Sequence, residues 1–154
     1  MAAYFFDTSA LIKRRVRERG STWVRSLIRS KAAHTIHLSG ITTVEVFAAI
    51  TRRQRGGTLS AAQAGAILGH FQRHLSQRYM VTDVTPALLS DAMRLARRHG
   101  LRAYDAVQLA AALEVGRIYH STGFSPFILV SADRELNAAA TAEGLSVEDP
   151  NSRP

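Results

Sequence analysis

The chain is 154 residues long and 46% hydrophobic, enough for one proper core, and it has no cysteine. That absence excludes a disulfide scaffold, a zinc–thiolate centre and a cysteine nucleophile together. Twenty Lys and Arg against 12 Asp and Glu give a net charge of +8 and a pI near 11.0, a balance that suits a polyanion such as nucleic acid. All the basic residues but Lys13 and Lys31 are arginine, so base composition of the genome is an alternative source of the excess. No uncharged apolar run approaches the roughly 18 residues of a membrane span, and MAAYFFD lacks the basic start of a signal peptide, so the expectation is a soluble cytoplasmic protein.

In chain order, the run YFF (4–6) predicts a strand closed by Asp7, with a helix from Ser9 or Ala10. Ser21 before Thr22-Trp23 reads as a second helix start, and 36–38 as a second strand. A third helix is expected from Thr42 or Thr43 to Gly56-Gly57, and a fourth from Ser60, followed by a strand at 79–84. Thr85-Pro86 opens a helix that Gly100 closes, and LRAYDAVQLAAAL begins another, expected to stop at Gly116. A strand at 127–131, a helix ending near Gly144 and a weaker strand at 145–147 complete the alternation, which predicts an α/β fold with a mainly parallel central sheet. One domain is expected over residues 1–150, with 151–154 a disordered tail. Basic clusters occur at 13–19, 52–55 and 94–98; Arg14, Arg15, Arg17, Arg97, Arg98 and Arg102 are candidate RNA contacts, or equally solvated helix ends.

Of the 12 acidic residues, Asp7, Glu45, Asp105 and Asp133 stand in apolar company, whereas Asp83 fits the solvent side of an edge strand. Asp7 and Asp133 each follow a buried-looking strand, and open parallel sheets place active sites at the carboxyl ends of their strands. Glu45 and Asp105 fall on helix faces of small apolar residues, where an unpaired carboxylate is unfavourable. Four converging carboxylates would raise one another's pKa unless a hard divalent cation sat among them. The plainer reading is four independent features: a cap, a Glu paired with one of many Arg, and two helix-start Asp. Spacing leaves both open.

The blocks YFFDTSALIK, TTVEVFAAI, LRAYDAVQLAAAL and ILVSADRELNAAATAEGLSVEDP, in that order from Tyr4 to about Pro150, resemble the four signature blocks of PIN-domain proteins, most of all the VapC toxins of toxin–antitoxin pairs. The resemblance implies a three-layer α/β/α sandwich and an Mg²⁺- or Mn²⁺-dependent endoribonuclease acting as a type II toxin. Its acidic site falls on Asp7, Glu45, Asp105 and Asp133, with Ser9 and Ser131 as orienting hydroxyls. It further implies RNA as substrate, a VapB-like antitoxin and a homodimer. The alanine-rich helices over 43–53 and 60–74, with Val46, Phe47, Ile67, Leu68 and Phe71, are a candidate partner face or simply core. RIYHSTGFS looks like a longer link than usual before the fourth block.

Other chemistries are weaker. His70 and His74 share a helix face, and His34 and His37 are close, without HExxH or a third ligand; GxSxG, the P-loop and GxGxxG are absent. Trp23, Phe71 and Leu75 read as packing residues. Two alternatives remain beside the toxin: a PIN-like RNA-binding or scaffold subunit that does not cleave, and a non-toxin RNA-processing nuclease.

Overall fold

In the computed structural model, which describes residues 1–123 and 126–154, five strands form one wholly parallel sheet in the order β3-β2-β1-β4-β5. The strands are β1 (Ala3–Phe6), β2 (Thr35–Ser39), β3 (Tyr79–Thr82), β4 (Phe127–Val130) and β5 (Ser146–Glu148). The helices between them are α1 (Thr8–Ile12), α2 (Ser21–Ile28), α3 (Gly40–Arg55), α4 (Ala61–Gln77), α5 (Pro86–His99), α6 (Ala103–Thr122) and α7 (Arg134–Ala142). Strand alternation divides the core in two. Tyr4, Phe6, Ile36, Leu38 and Val130 pack under α1–α4 with Val24, Ile50 and Phe71, while Phe5 and Leu129 face α5–α7 with Leu95, Leu109 and Leu136. The result is the three-layer α/β/α arrangement. β1 lies at its centre, with β2 to one side and β4 to the other, so the chain's direction of winding reverses between β1 and β4. That is the topological switch point at which such sheets open a crevice.

Local signals set most boundaries. Ser60 and Gln63 close a reciprocal capping box at 3.1 and 2.8 Å, and Thr85 caps α5 by accepting from Leu88 N at 3.1 Å, with Pro86 in the first turn. α2 starts at Ser21 as expected, with Gly20 at the cap position because the Ser21 hydroxyl is committed to the Val16 carbonyl and the Glu18 amide, both at 2.9 Å. Three other expectations are corrected. α3 starts at Gly40 with Ser39 as its cap, because the hydroxyl of Thr43 turns back to the Gly40 carbonyl at 2.7 Å instead of opening the helix. Gly116 does not stop α6: it is a close-packing point, where a Cβ would lie 3.1 Å from both Leu145 Cδ2 and Phe127 Cε1. Much of RIYHSTGFS is therefore the last turns of α6, with Phe124 and Ser125 outside the described residues.

The terminal segment is not a disordered tail. Pro150–Ser152 form a turn of 3-10 helix, Pro150 is buried, and Arg153 donates to Glu148 at 2.6 Å while its guanidinium lies 5.3 Å from the Trp23 ring. Of the candidate partner face over α3 and α4, Val46 and Phe71 are buried in the core, while Phe47, Ile67 and Leu68 pack against it and stay partly exposed. Trp23 and Leu75 are packing residues as expected, and Asp83 is exposed beyond the end of edge strand β3.

Candidate active site

The chain bends into α1 straight after β1, and Asp7 is the hinge: it ends the strand and caps the helix, Oδ1 accepting from Ala10 N at 2.9 Å. The cap and the place at the sheet's carboxyl edge are thus compatible, since the cap orients a carboxylate there. Ser9 Oγ lies 2.8 and 2.9 Å from the two Asp7 oxygens, and Ser131 Oγ donates to Oδ2 at 3.0 Å. Ser9 Oγ in turn accepts from Ala132 N at 3.0 Å, tying the end of β1 to the end of β4. Asp7 is nevertheless only 4% exposed, and burial pushes its carboxyl up to about 7, with these hydrogen bonds opposing the rise and Asp105 adding to it.

Glu45 projects from the second turn of α3. Its Oε1 accepts from Thr8 Oγ1 and from Gln108 Nε2, both at 2.8 Å, so α1, α3 and α6 are joined through one carboxylate. Gln108 is buried, also reaches Thr42 Oγ1 at 2.8 Å and Thr8 Oγ1 at 3.2 Å, and leaves its own Oε1 without a partner. With Glu45 ionised this is the preferred amide orientation, because a flip would set two acceptor oxygens against each other. Asp105 lies in the first turn of α6, and its carboxyl is raised by burial, then by Asp133 and Glu45, with Arg102 opposing. Asp133 caps α7, accepting from Leu136 N at 2.8 Å, while its own N–H donates to Ser131 Oγ at 3.1 Å.

All four carboxylates line one cleft of about 390 Å³, together with Thr8, Ser9, Gln108, Arg52, Tyr104 and the edges of Val44 and Ala48. A larger cavity of about 750 Å³ beside the C-terminal half of α6 contains none of the four, and its one acid, Glu143, is bonded to His99 at 2.7 Å. Among the described residues no three histidine or acidic side chains form a ready-made ligand cage, so the carboxylates face the cleft without being drawn onto one point. None of the four is in an ion pair among the described residues. Mutually repelling oxygen donors without a cationic partner suit a hard divalent ion, so the donor set fits Mg²⁺ or Mn²⁺ in its chemistry.

The six candidate arginines fall in three different surroundings. Arg102 acts on Asp105. Arg97 and Arg98 are exposed at the end of α5, with Arg98 3.5 Å from Glu143, and Arg17 is exposed in the turn after α1. Arg14 and Arg15 are half-buried against Tyr79 and His74, and Arg14 lines a separate pocket. Thr8, Gln108, Arg52 and Tyr104 are cleft residues that sequence reasoning missed. Helical spacing was the available signal: Gln108 is one turn after Asp105, and Arg52 two turns after Glu45.

Among known proteins, the model of the PIN domain matches residues 4–142. The chain is 31% identical over 151 residues to Ribonuclease VapC45 of Mycobacterium tuberculosis (strain CDC 1551 / Oshkosh) and, equally, to Ribonuclease VapC49 of strain ATCC 25618 / H37Rv, covering 96% of this chain and 95% of each relative. Among solved structures it is similar to VapC20 of M. tuberculosis, described as a sarcin–ricin loop cleaving toxin, with TM-score 0.64 and 20% identity over 98% of this chain and 99% of that one. It is also similar to PAE2754 of Pyrobaculum aerophilum, with TM-score 0.63 and 24% identity over 98% and 91%. VapBC2 of Rickettsia felis, bound to a promoter DNA fragment, matches with TM-score 0.63 and 14% identity over 96% and 98%. At these identities the solved structures speak for the fold.

Proposed function

This chain belongs to the PIN-domain family, and from that premise we propose that it is a metal-dependent endoribonuclease of the VapC kind, a cytoplasmic toxin held in check by an antitoxin protein. The observation that carries the proposal is the cleft itself: four separate elements bring Asp7, Glu45, Asp105 and Asp133 to one opening at the carboxyl edge of the sheet. The two VapC ribonucleases at 31% identity support the choice of RNA as substrate.

Asp7, Glu45, Asp105 and Asp133 would hold the ion. A bound Mg²⁺ or Mn²⁺ supplies positive charge against the scissile phosphate and lowers the pKa of an attacking water. The protein's own part is to keep the carboxylates aimed. Ser9 and Ser131 fix both oxygens of Asp7, and Thr8 with Gln108 fixes one oxygen of Glu45 and leaves the other open to the cleft. Asp105 and Asp133, half-buried and repelling each other, are the pair most relieved by a cation. Arg52, exposed at the rim, and Arg102, beside Asp105, are placed to meet the phosphates of a strand entering the cleft.

The antitoxin reading draws support from the rim. Val44 and Tyr104 are 65% and 59% exposed beside the carboxylates, an apolar footing for a partner that also delivers a cation. Expression of the wild-type chain alone is expected to arrest growth, and the Asp7→Asn chain is expected not to. If the wild type cut RNA in vitro yet was harmless when overexpressed, the toxin assignment would fail and a housekeeping nuclease would remain.

A further inference from the structure

A basic pocket of about 470 Å³ lies apart from the carboxylate cleft and shares no lining residue with it. Its walls come from three segments: Arg14 just past α1; Arg25, Ile28, Arg29 and Lys31 from α2 and the turn beyond; and His74 and Arg78 at the end of α4. No carboxylate lines it, and among the described residues none of its five cations is in an ion pair.

The arrangement is built rather than merely crowded. Arg14 donates to the Tyr79 hydroxyl and sits 6.0 Å from that ring's centre, Arg25 Nε donates to the Arg14 carbonyl at 3.2 Å, and Arg15 bonds His74 Nδ1 from behind. Each of these bonds uses one of a guanidinium's five N–H donors and leaves the rest for another partner. Burial, then the charges of Arg14, Arg15 and Arg78, hold the His74 imidazole down to about 4, so it stays neutral and accepts. Five unpaired cations in one pocket repel, and bound anionic charge removes that penalty.

The pocket sits at the opposite edge of the sheet from the carboxylates. Arg78 immediately precedes β3, whereas Asp7 and Asp133 follow the strands. A strand such as β2 separates the two edges by roughly 13 Å, a span that a few nucleotides of a single strand can cross. A single phosphate, with a charge of about −2 at most, neutralises fewer than half of five cations, whereas successive phosphodiesters match their spread over three segments.

We propose that this pocket is a phosphate-binding exosite that grips the backbone of an RNA whose scissile bond lies in the carboxylate cleft. It rests on the nuclease reading for the identity of the nucleic acid, but its test does not need cutting.

Binding of a single-stranded RNA of about 20 nucleotides, longer than the span between the sites, is measured for the full chain in EDTA over a salt series. Wild type is compared with Arg29→Gln/Lys31→Gln/Arg78→Gln, three exposed residues whose side chains make no hydrogen bond among the described residues. The triple variant is expected to bind at least tenfold more weakly, with the slope of log affinity on log salt shallower by about two, at 0.7 per phosphate contact. Arg29→Lys/Arg78→Lys, which keeps the charge, is expected to retain most of the affinity. Unchanged affinity and slope in the triple variant would overturn the exosite, as would a wild type that binds no RNA. So would pyrophosphate displacing the RNA completely at equal phosphate concentration, which marks a site for small phosphates. A wild type that binds but does not cut in Mn²⁺ leaves the exosite standing and removes the nuclease; one that cuts while the triple variant binds normally does the reverse.

Discussion

Replacing Asp7 by Asn should stabilise the metal-free protein, and only on the alkaline side. Burial lifts the Asp7 carboxyl to about 7 from its ordinary 3.8, so in the folded state the neutral form is favoured by about 4 kcal/mol, at 1.36 kcal/mol per tenfold. Below about pH 4 both folded and unfolded chains hold the proton, and no difference arises. Between pH 4 and 7 the folded chain keeps a proton that the unfolded chain has lost, so stability falls as pH rises. Above 7 the whole of that stabilisation is gone. Asn is neutral throughout and its Oδ1 can still accept from Ala10 N, but its amide faces the Ser9 and Ser131 hydroxyls, which must reorient at a cost of about 1–2 kcal/mol. The net gain at pH 8 is about 2–3 kcal/mol, or roughly 5–10 °C in Tm for a chain of this size. Thermal unfolding in EDTA at pH 5 and pH 8 measures it: the variant should lead at pH 8 and lose that lead at pH 5. A variant equally or less stable than wild type at pH 8 would refute the buried, unpaired charge from which the metal argument starts.

Gln108→Leu should weaken Mn²⁺ binding by 10–100-fold in titration calorimetry, because Glu45, Thr8 and Thr42 lose their common donor; unchanged affinity would mean that Gln108 only fills space. Gly20→Ala should lower stability by about 2–4 kcal/mol in denaturant unfolding, since the residue sits at φ +81° and an added Cβ would fall 2.2 Å from the Pro150 carbonyl oxygen. A neutral result there would show that the C-terminal turn does not dock on α2.

The strands and the ordered acidic residues were legible because their signals are local: short apolar runs, each followed by a polar residue where the chain turns. The errors fall where one side chain has two possible uses. Thr43 could open a helix or bond back within one, and Gly116 could end a helix or let Phe127 and Leu145 approach it; only the packing decides. The DPNSRP segment looks disordered by composition, yet Pro150 finds a buried seat and Arg153 finds both Glu148 and Trp23. Gln108 is an ordinary helix residue until two other elements, α1 and α3, converge on it. The basic pocket was hidden for a related reason: Arg25, Arg29 and Arg78 are scattered in the chain, and the fold gathers them with Arg14, the one residue of the dense run at 13–19 that lines the pocket, whereas the run at 94–98 lies outside it.

The most direct test of the central claim is RNA cleavage by the purified chain, with wild type, Asp7→Asn and Asp105→Asn assayed in Mg²⁺, in Mn²⁺ and in EDTA. The four-carboxylate cleft predicts cutting by wild type in either metal, none in EDTA, and none by either variant, even though both variants are folded. Cutting that persists in EDTA, or at wild-type rate after loss of either carboxylate, would contradict it.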